Sequence, residues 1–123
     1  MNIFAVSSMP RYVVLEHDHP FLHWDLMLEA GDVLRTWRLA DPPRPGPEIA
    51  ATALGNHRCF YLDYEGPVSG DRGRVVRWDA GCFTWQTDES AHVVVSFQGG
   101  CLHGRAVLTQ LDEEKWSFIL ADA

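Results

Sequence analysis

The stretch RYVVLEHDHPFLHWDLMLEAGDVLRTWRLA, from Arg11 to Ala40, decides the fold. Apolar and β-branched residues come in short runs with a period of two, as on a pleated strand and unlike a helix. RYVVLEH (Arg11–His17) reads as one strand, HWDLMLEA (His23–Ala30) as a second and VLRTWRLA (Val33–Ala40) as a third. The HPF that follows Asp18 is a turn, with Pro20 breaking the ladder. Gly31–Asp32 is a tight hairpin connection. Connections this short make the three strands antiparallel neighbours.

The same pattern continues outward. DPPRPGP (Asp41–Pro47) is a rigid loop with four prolines. EIAATAL is ambiguous, and FYLDYEG reads as a strand or one helical turn. RVVRWDAG, HVVVSFQGG, GRAVLTQL and KWSFILAD complete a series of β-type segments. No long amphipathic helix pattern, internal repeat or linker is visible. The expectation is a single domain, residues 1–123, of all-β class: a compact antiparallel β-barrel with little helix. Closing the sheet hides its edges, and a two-sheet sandwich is the alternative.

Composition narrows the function. Hydrophobic residues make up 46% of the 123, enough for a core and too many for disorder. A net charge of −7 opposes avid, sequence-blind binding to a nucleic-acid backbone, though not a small basic pocket. Nine of the ten basic residues are arginines, suited to bidentate contacts with phosphate or carboxylate, or simply the product of a GC-rich genome. Cys59, Cys82 and Cys101 are odd in number and far apart, so reduced thiols are expected rather than a disulfide framework or a zinc cluster. The start MNIFAVSSMPRY has no signal pattern, and no run approaches a membrane span. A cytoplasmic monomer is expected.

The second strand carries the chemistry. Alternation places His23, Asp25, Met27 and Glu29 on one face and Trp24, Leu26 and Leu28 on the other, toward the core. His17 ends the preceding strand, and the hairpin returns it beside His23. Two imidazoles and a carboxylate on neighbouring strands form a divalent-metal half-site open to manganese, zinc or iron. The bland alternative has both histidines bonding backbone groups and Asp25 paired to an arginine. A second candidate is NHRCFYLDYEG (Asn56–Gly66). There His57 follows a Gly-Asn turn and could act as a general acid or contact an anion. Tyr61 and Tyr64 read as core or rim aromatics. His92 and His103 read as structural.

Taken together, these blocks resemble the 3′-phosphoesterase domain of bacterial DNA ligase D. RYVVLEHDHPFLHWDLMLE is similar to that family's opening strand-histidine-Leu-His-aromatic-Asp block, and GDVLRTWRLADPPRP to its basic strand and proline-rich loop. NHRCFYLDYEGPV is similar to its histidine block, GRVVRWDAGCF to its Gly-x-Val-x-x-Trp-Asp-x-Gly strand, and VSFQGGCLHGRAVLTQLDEEKWSFIL to its closing pattern. The resemblance implies a compact β-barrel with manganese-dependent removal of a 3′-ribonucleotide or 3′-phosphate from DNA ends. It implies His17, His23 and Asp25 as metal ligands, His57 as the phosphate-contacting catalytic histidine and Tyr61 as the tyrosine that follows it. Arg35 matches a basic position and is a phosphate-binding candidate. The implied partners are nucleic-acid 3′ ends and a DNA repair ligase or polymerase.

The chain also departs from the family pattern. Met27 stands where the family carries an arginine, PEIAA lacks a second one, and the family's polar N-terminal segment is shortened to about ten residues here. Arg35, Arg38, Arg58 or Arg74 could compensate. The competing expectation is a catalytically inactive barrel that docks to repair enzymes. A cupin-like metal barrel is a third, but beyond His23, Asp25 and Glu29 the cupin spacing is missing.

Overall fold

The computed structural model describes residues 9–121. The stretch MNIFAVSS, part of the start in which no signal pattern was read, lies outside them. Among the described residues nine strands follow one another: β1 (Arg11–His17), β2 (His23–Ala30), β3 (Val33–Leu39), β4 (Ile49–Arg58), β5 (Gly66–Pro67), β6 (Arg74–Asp88), β7 (His92–Gln98), β8 (Gly104–Asp112) and β9 (Lys115–Ala121). They form one sheet in the order β1-β2-β3-β4-β9-β8-β7-β6-β5, and β1 also pairs with β6. That pairing closes an antiparallel barrel of eight strands, with the two-residue β5 attached outside it. The expected all-β barrel is what the chain adopts.

The first three strands begin and end where the apolar pattern placed them, to within one residue. Gly31, at φ +66, makes the tight turn between β2 and β3, and Ala30 pairs with Val33 across it. One local expectation is corrected. Gly55–Asn56 is not a turn but part of β4, which also absorbs EIAATAL. A register shift opposite Leu34–Thr36 lets the pairing run on to His57 with Leu34 and Arg58 with Val33. FYLDYEG supplies most of a single 3-10 turn, Cys59–Asp63.

Alternation divides the apolar residues between two clusters. Tyr12, Val14, Leu26, Leu28, Trp37, Ala51, Phe83, Val95, Leu108 and Phe118 come from all eight barrel strands and fill the interior. Val13, Leu15, Met27, Leu34 and Val75 point the other way and form an outer cluster, covered by Leu62, Tyr61 and Tyr64 of the 3-10 turn and its exit. Each fully buried large side chain stabilises the fold by about 1.5–3 kcal/mol. The interior is a packed core rather than a lumen, so any site must lie on the outer face of the wall or at a rim.

One buried carboxylate belongs to the wall itself. Asp79, on β6, accepts hydrogen bonds from the Tyr12 hydroxyl (2.6 Å) and from the backbone N–H groups of Cys101 (2.6 Å) and Leu102 (3.0 Å). Burial first, then the Asp79 carboxylate, pushes the Tyr12 phenol well above its ordinary pKa. The three cysteines are free thiols. Among the described residues no helix is long and apolar enough to cross a membrane.

Candidate active site

The hairpin of β1 and β2 sets the spacing of the site. His17 and His23 are directly opposed in the last pair before the turn, and Asp25 follows two residues on, on the same face as His23. A ligand atom from each of His17, His23 and Asp25 lies within 4.8 Å of the others. His23 Nε2 is 3.3 Å from Asp25, and His17 Nδ1 is 3.6 Å from it.

Both rings are oriented from behind. His23 Nδ1 lies 2.8 Å from the carbonyl oxygen of Phe21, and His17 Nε2 lies 2.8 Å from that of Arg72. A carbonyl can only accept, so those nitrogens carry the protons. In the neutral rings His23 Nε2 and His17 Nδ1 therefore turn lone pairs toward the carboxylate, and only a protonated ring donates to it from these nitrogens. Backbone carbonyls commonly orient metal-binding histidines in this way. The carbonyl of Arg72 is itself held in place. Arg74 N–H donates to Asp18 Oδ1 (2.8 Å), and Gly73, at φ +75, leaves no room for a side chain beside Asp18.

The electrostatics follow from this packing. His23 is fully buried and Asp25 nearly so. Burial alone would raise the Asp25 pKa, but hydrogen bonds from His17 and His23 outweigh it and hold the carboxyl below its ordinary value. The same carboxylate raises the His17 pKa, against the opposing effect of burial. Asp25 Oδ1 is buried and makes no hydrogen bond of good geometry among the described residues, although His23 Nε2 lies 3.3 Å from it. Two inward lone pairs and an orphaned carboxylate oxygen fit a divalent cation. The arginine partner of the bland alternative is absent: among the described residues Asp25 makes ion-pair contacts only with the two histidines.

The triad opens into a cleft of about 240 Å³, lined also by Met27, Arg38, His57 and Tyr61. His57, on β4, donates from Nδ1 to the carbonyl of Gly55 (2.8 Å), which leaves Nε2 free. Its ring meets Tyr61 edge-on at 5.9 Å between centroids. His17, Asp25, His57 and Tyr61 thus share one cavity, with His23 buried behind them. Met27 packs into the outer apolar cluster and offers the cleft no charge.

Arg35 does not join them. Strand parity sends it to the same face as Trp37, where it stacks over the indole (5.0 Å) and pairs with Asp88 (2.5 Å). Arg35, expected at the site as a phosphate-binding candidate, therefore lies away from the cleft, which Arg38 lines instead. Arg58 is exposed and stacks over Phe60, and Arg74 is exposed outside the cleft. His103 is exposed, while half-buried His92 lies 3.4 Å from the Thr109 hydroxyl. Sequence reasoning did not single out Asp79, whose donors come from distant parts of the chain.

A cation-compatible His-His-Asp cluster and a third histidine thus meet in one cleft on the outer face of an antiparallel barrel wall. Residues 15–121 match the family model described as the DNA Ligase D 3′-phosphoesterase domain. The chain belongs to that family, and membership supports a phosphoesterase role. It is 31% identical over 109 residues to the multifunctional non-homologous end joining protein LigD of Pseudomonas aeruginosa, covering 80% of this chain and 13% of that protein. To the multifunctional non-homologous end joining DNA repair protein LigD of Mycobacterium tuberculosis it is 28% identical over 116 residues, 85% of this chain and 15% of the relative. A LigD protein of Mycolicibacterium smegmatis is 25% identical over 134 residues, 94% of this chain and 17% of its own length. The chain therefore spans about one-seventh of the length of these relatives.

Proposed function

We propose that the chain is a divalent-metal-dependent phosphoesterase that trims 3′ ends of DNA, removing a terminal 3′-phosphate or 3′-ribonucleotide. The observation that carries this reading is the convergence of His17, His23 and Asp25 within 4.8 Å at a cleft that also holds His57 and Tyr61. His17 Nδ1, His23 Nε2 and an Asp25 oxygen would hold the ion. Manganese is the proposed ion, since a carboxylate with two imidazoles suits it, and zinc is the alternative. Bound there, such an ion supplies charge neutralisation at the phosphoryl group and an activated water.

The protein's own groups do the rest. His57 presents Nε2 to the cleft, from which it can donate to a phosphoryl oxygen or to the departing alkoxide when protonated. The Tyr61 hydroxyl is a neutral donor at the rim. The apolar wall formed by Met27, Val75 and Leu54 keeps bulk water from the inner side, which strengthens each polar contact made there. With a net charge of −7, recognition is local, at a strand end, rather than along a duplex. A DNA repair ligase or polymerase would then act on the trimmed end.

The test is turnover of a primer-template carrying a 3′-phosphate or a single 3′-ribonucleotide, with and without Mn2+. Release of phosphate or nucleoside that needs the ion and disappears in His23→Ala is the expected result. Turnover that survives both chelation and His23→Ala would overturn the proposal.

A further inference from the structure

We propose that Arg38, propped on Phe21, binds the phosphate group in the cleft. This rests on the phosphoesterase reading for the ligand's chemistry, but the arrangement of the side chain is independent of it. Two arginines line the cleft, Arg38 and Arg72. Arg72 is already engaged: its Nε donates to the carbonyl of Ser69 (2.6 Å) and its terminal nitrogen to the Ser69 hydroxyl (3.1 Å). Arg38 makes no ion pair with any described residue, and its Nε is buried without an acceptor. A guanidinium N–H drawn out of water with no acceptor is costly unless a ligand meets it.

Its location suits an anion. Arg38 is the cross-strand partner of Asp25 on β3, two rungs from the pair Met27–Thr36, and shares the outer face with both. Neighbours of this kind have Cβ atoms about 5 Å apart. Yet no Asp25 oxygen lies within ion-pairing distance of the Arg38 guanidinium, so the carboxylate remains turned to the imidazoles. A permanent cation thus stands beside the cation-binding cluster, where the second oxygen of a phosphate ester would lie. Its planar fork suits two phosphoryl oxygens at once.

Phe21 gives the guanidinium its platform. The Arg38 guanidinium lies 5.3 Å from the Phe21 ring centre, and that ring is 56% exposed. An aromatic side chain of this size gains nothing from water, but a cation over its face is held in one plane at little cost. The Phe21 carbonyl also receives the His23 Nδ1 proton, so one residue orients both the arginine and an imidazole of the site. Phe21 is therefore a positioning residue, and Arg38 the group that touches substrate.

The experiment compares binding of a short oligonucleotide ending in 3′-phosphate with the same oligonucleotide ending in 3′-hydroxyl, with the protein metal-free and with Mn2+. The wild type should prefer the phosphate end. Arg38→Met should weaken that end by roughly ten- to hundredfold, the worth of a charge-assisted bidentate contact, and erase the preference. Arg38→Lys should recover part of it, and Phe21→Leu should cost a few-fold. Arg105→Met, which removes an exposed arginine on β8 far from the cleft residues in sequence, should change nothing, and Mn2+ affinity should stay near wild type in all four. Wild-type affinity in Arg38→Met, an equal loss in Arg105→Met, or no phosphate preference in the wild type overturns the proposal. Should Arg38→Met fail to fold, unaltered preference in both Arg38→Lys and Phe21→Leu overturns it as well. Phosphate preference without hydrolysis would defeat the enzyme reading and leave the Arg38 assignment standing. Hydrolysis at wild-type KM in Arg38→Met would do the reverse.

Discussion

Two carboxylates are buried in this barrel wall, and they are treated in opposite ways. Asp79 collects three donors, a phenol and two backbone N–H groups, and both of its oxygens are satisfied. Asp25 faces two imidazoles whose outward nitrogens are pinned by carbonyls, and one of its oxygens has no partner. A closed hydrogen-bond set rigidifies a fold, whereas an open one surrounded by lone pairs waits for a charge to complete it. Burial alone marks neither group as functional. What separates them is the direction in which the neighbouring donors are turned.

The largest test of this contrast removes ligands from the open cluster. Asp25→Ala or His23→Ala should lower metal-dependent turnover by on the order of 10³-fold, a loss of several kcal/mol in stabilising the reacting phosphoryl charge. Circular dichroism should show the barrel intact. The converse, Asp79→Ala, should destabilise the fold by about 3 kcal/mol in chemical denaturation, because it strands two N–H groups and a phenol, while turnover per folded molecule stays unchanged. If both variants act on stability alone, the distinction between the two carboxylates fails.

Acidity sharpens the comparison further. His17 has a raised pKa in the metal-free protein because Asp25 accepts its proton's hydrogen bond. Its contribution to stability is thus complete below the unfolded value of about 6.5 and is lost as pH rises through the folded pKa. Asp25 has a depressed pKa, so its contribution is complete above about 4 and fades as pH falls through the folded value. The metal-free protein should gain from this pair between those limits. The proposed metal binding would have the opposite dependence, because the ion would need the His17 lone pair that the proton occupies. Apparent Mn2+ affinity should fall up to about tenfold per pH unit below the raised His17 pKa, with proton release measurable by calorimetry in buffers of different ionisation heat. Smallest of all, Tyr12→Phe should cost about 1 kcal/mol of stability and leave metal affinity as it was.

The strands and the His17–His23–Asp25 cluster were legible because both depend on local order: a period of two, a short turn and the parity of side chains across a hairpin. The later part of β4 was not, since Ala, Thr and Gly carry little periodic signal and the bulge at Gly55–Asn56 that keeps it paired is set by its register against β3. Arg35 was misplaced by following resemblance where parity was informative. Trp37 and Leu39 are core residues of the same strand, so Arg35 shares their face and Arg38 the face of Asp25. Asp79 was missed for another reason. Its partners lie 22, 23 and 67 residues away, and nothing near it in the chain announces them.

His17 and His23 form the final rung of a two-stranded ladder. Their separation is therefore dictated by covalent geometry and interstrand hydrogen bonding rather than by how well the far side of the molecule packs. Mutations that loosen distant strands should soften the protein as a whole before they widen this chelating bite, so metal capture should outlast much of the thermal margin.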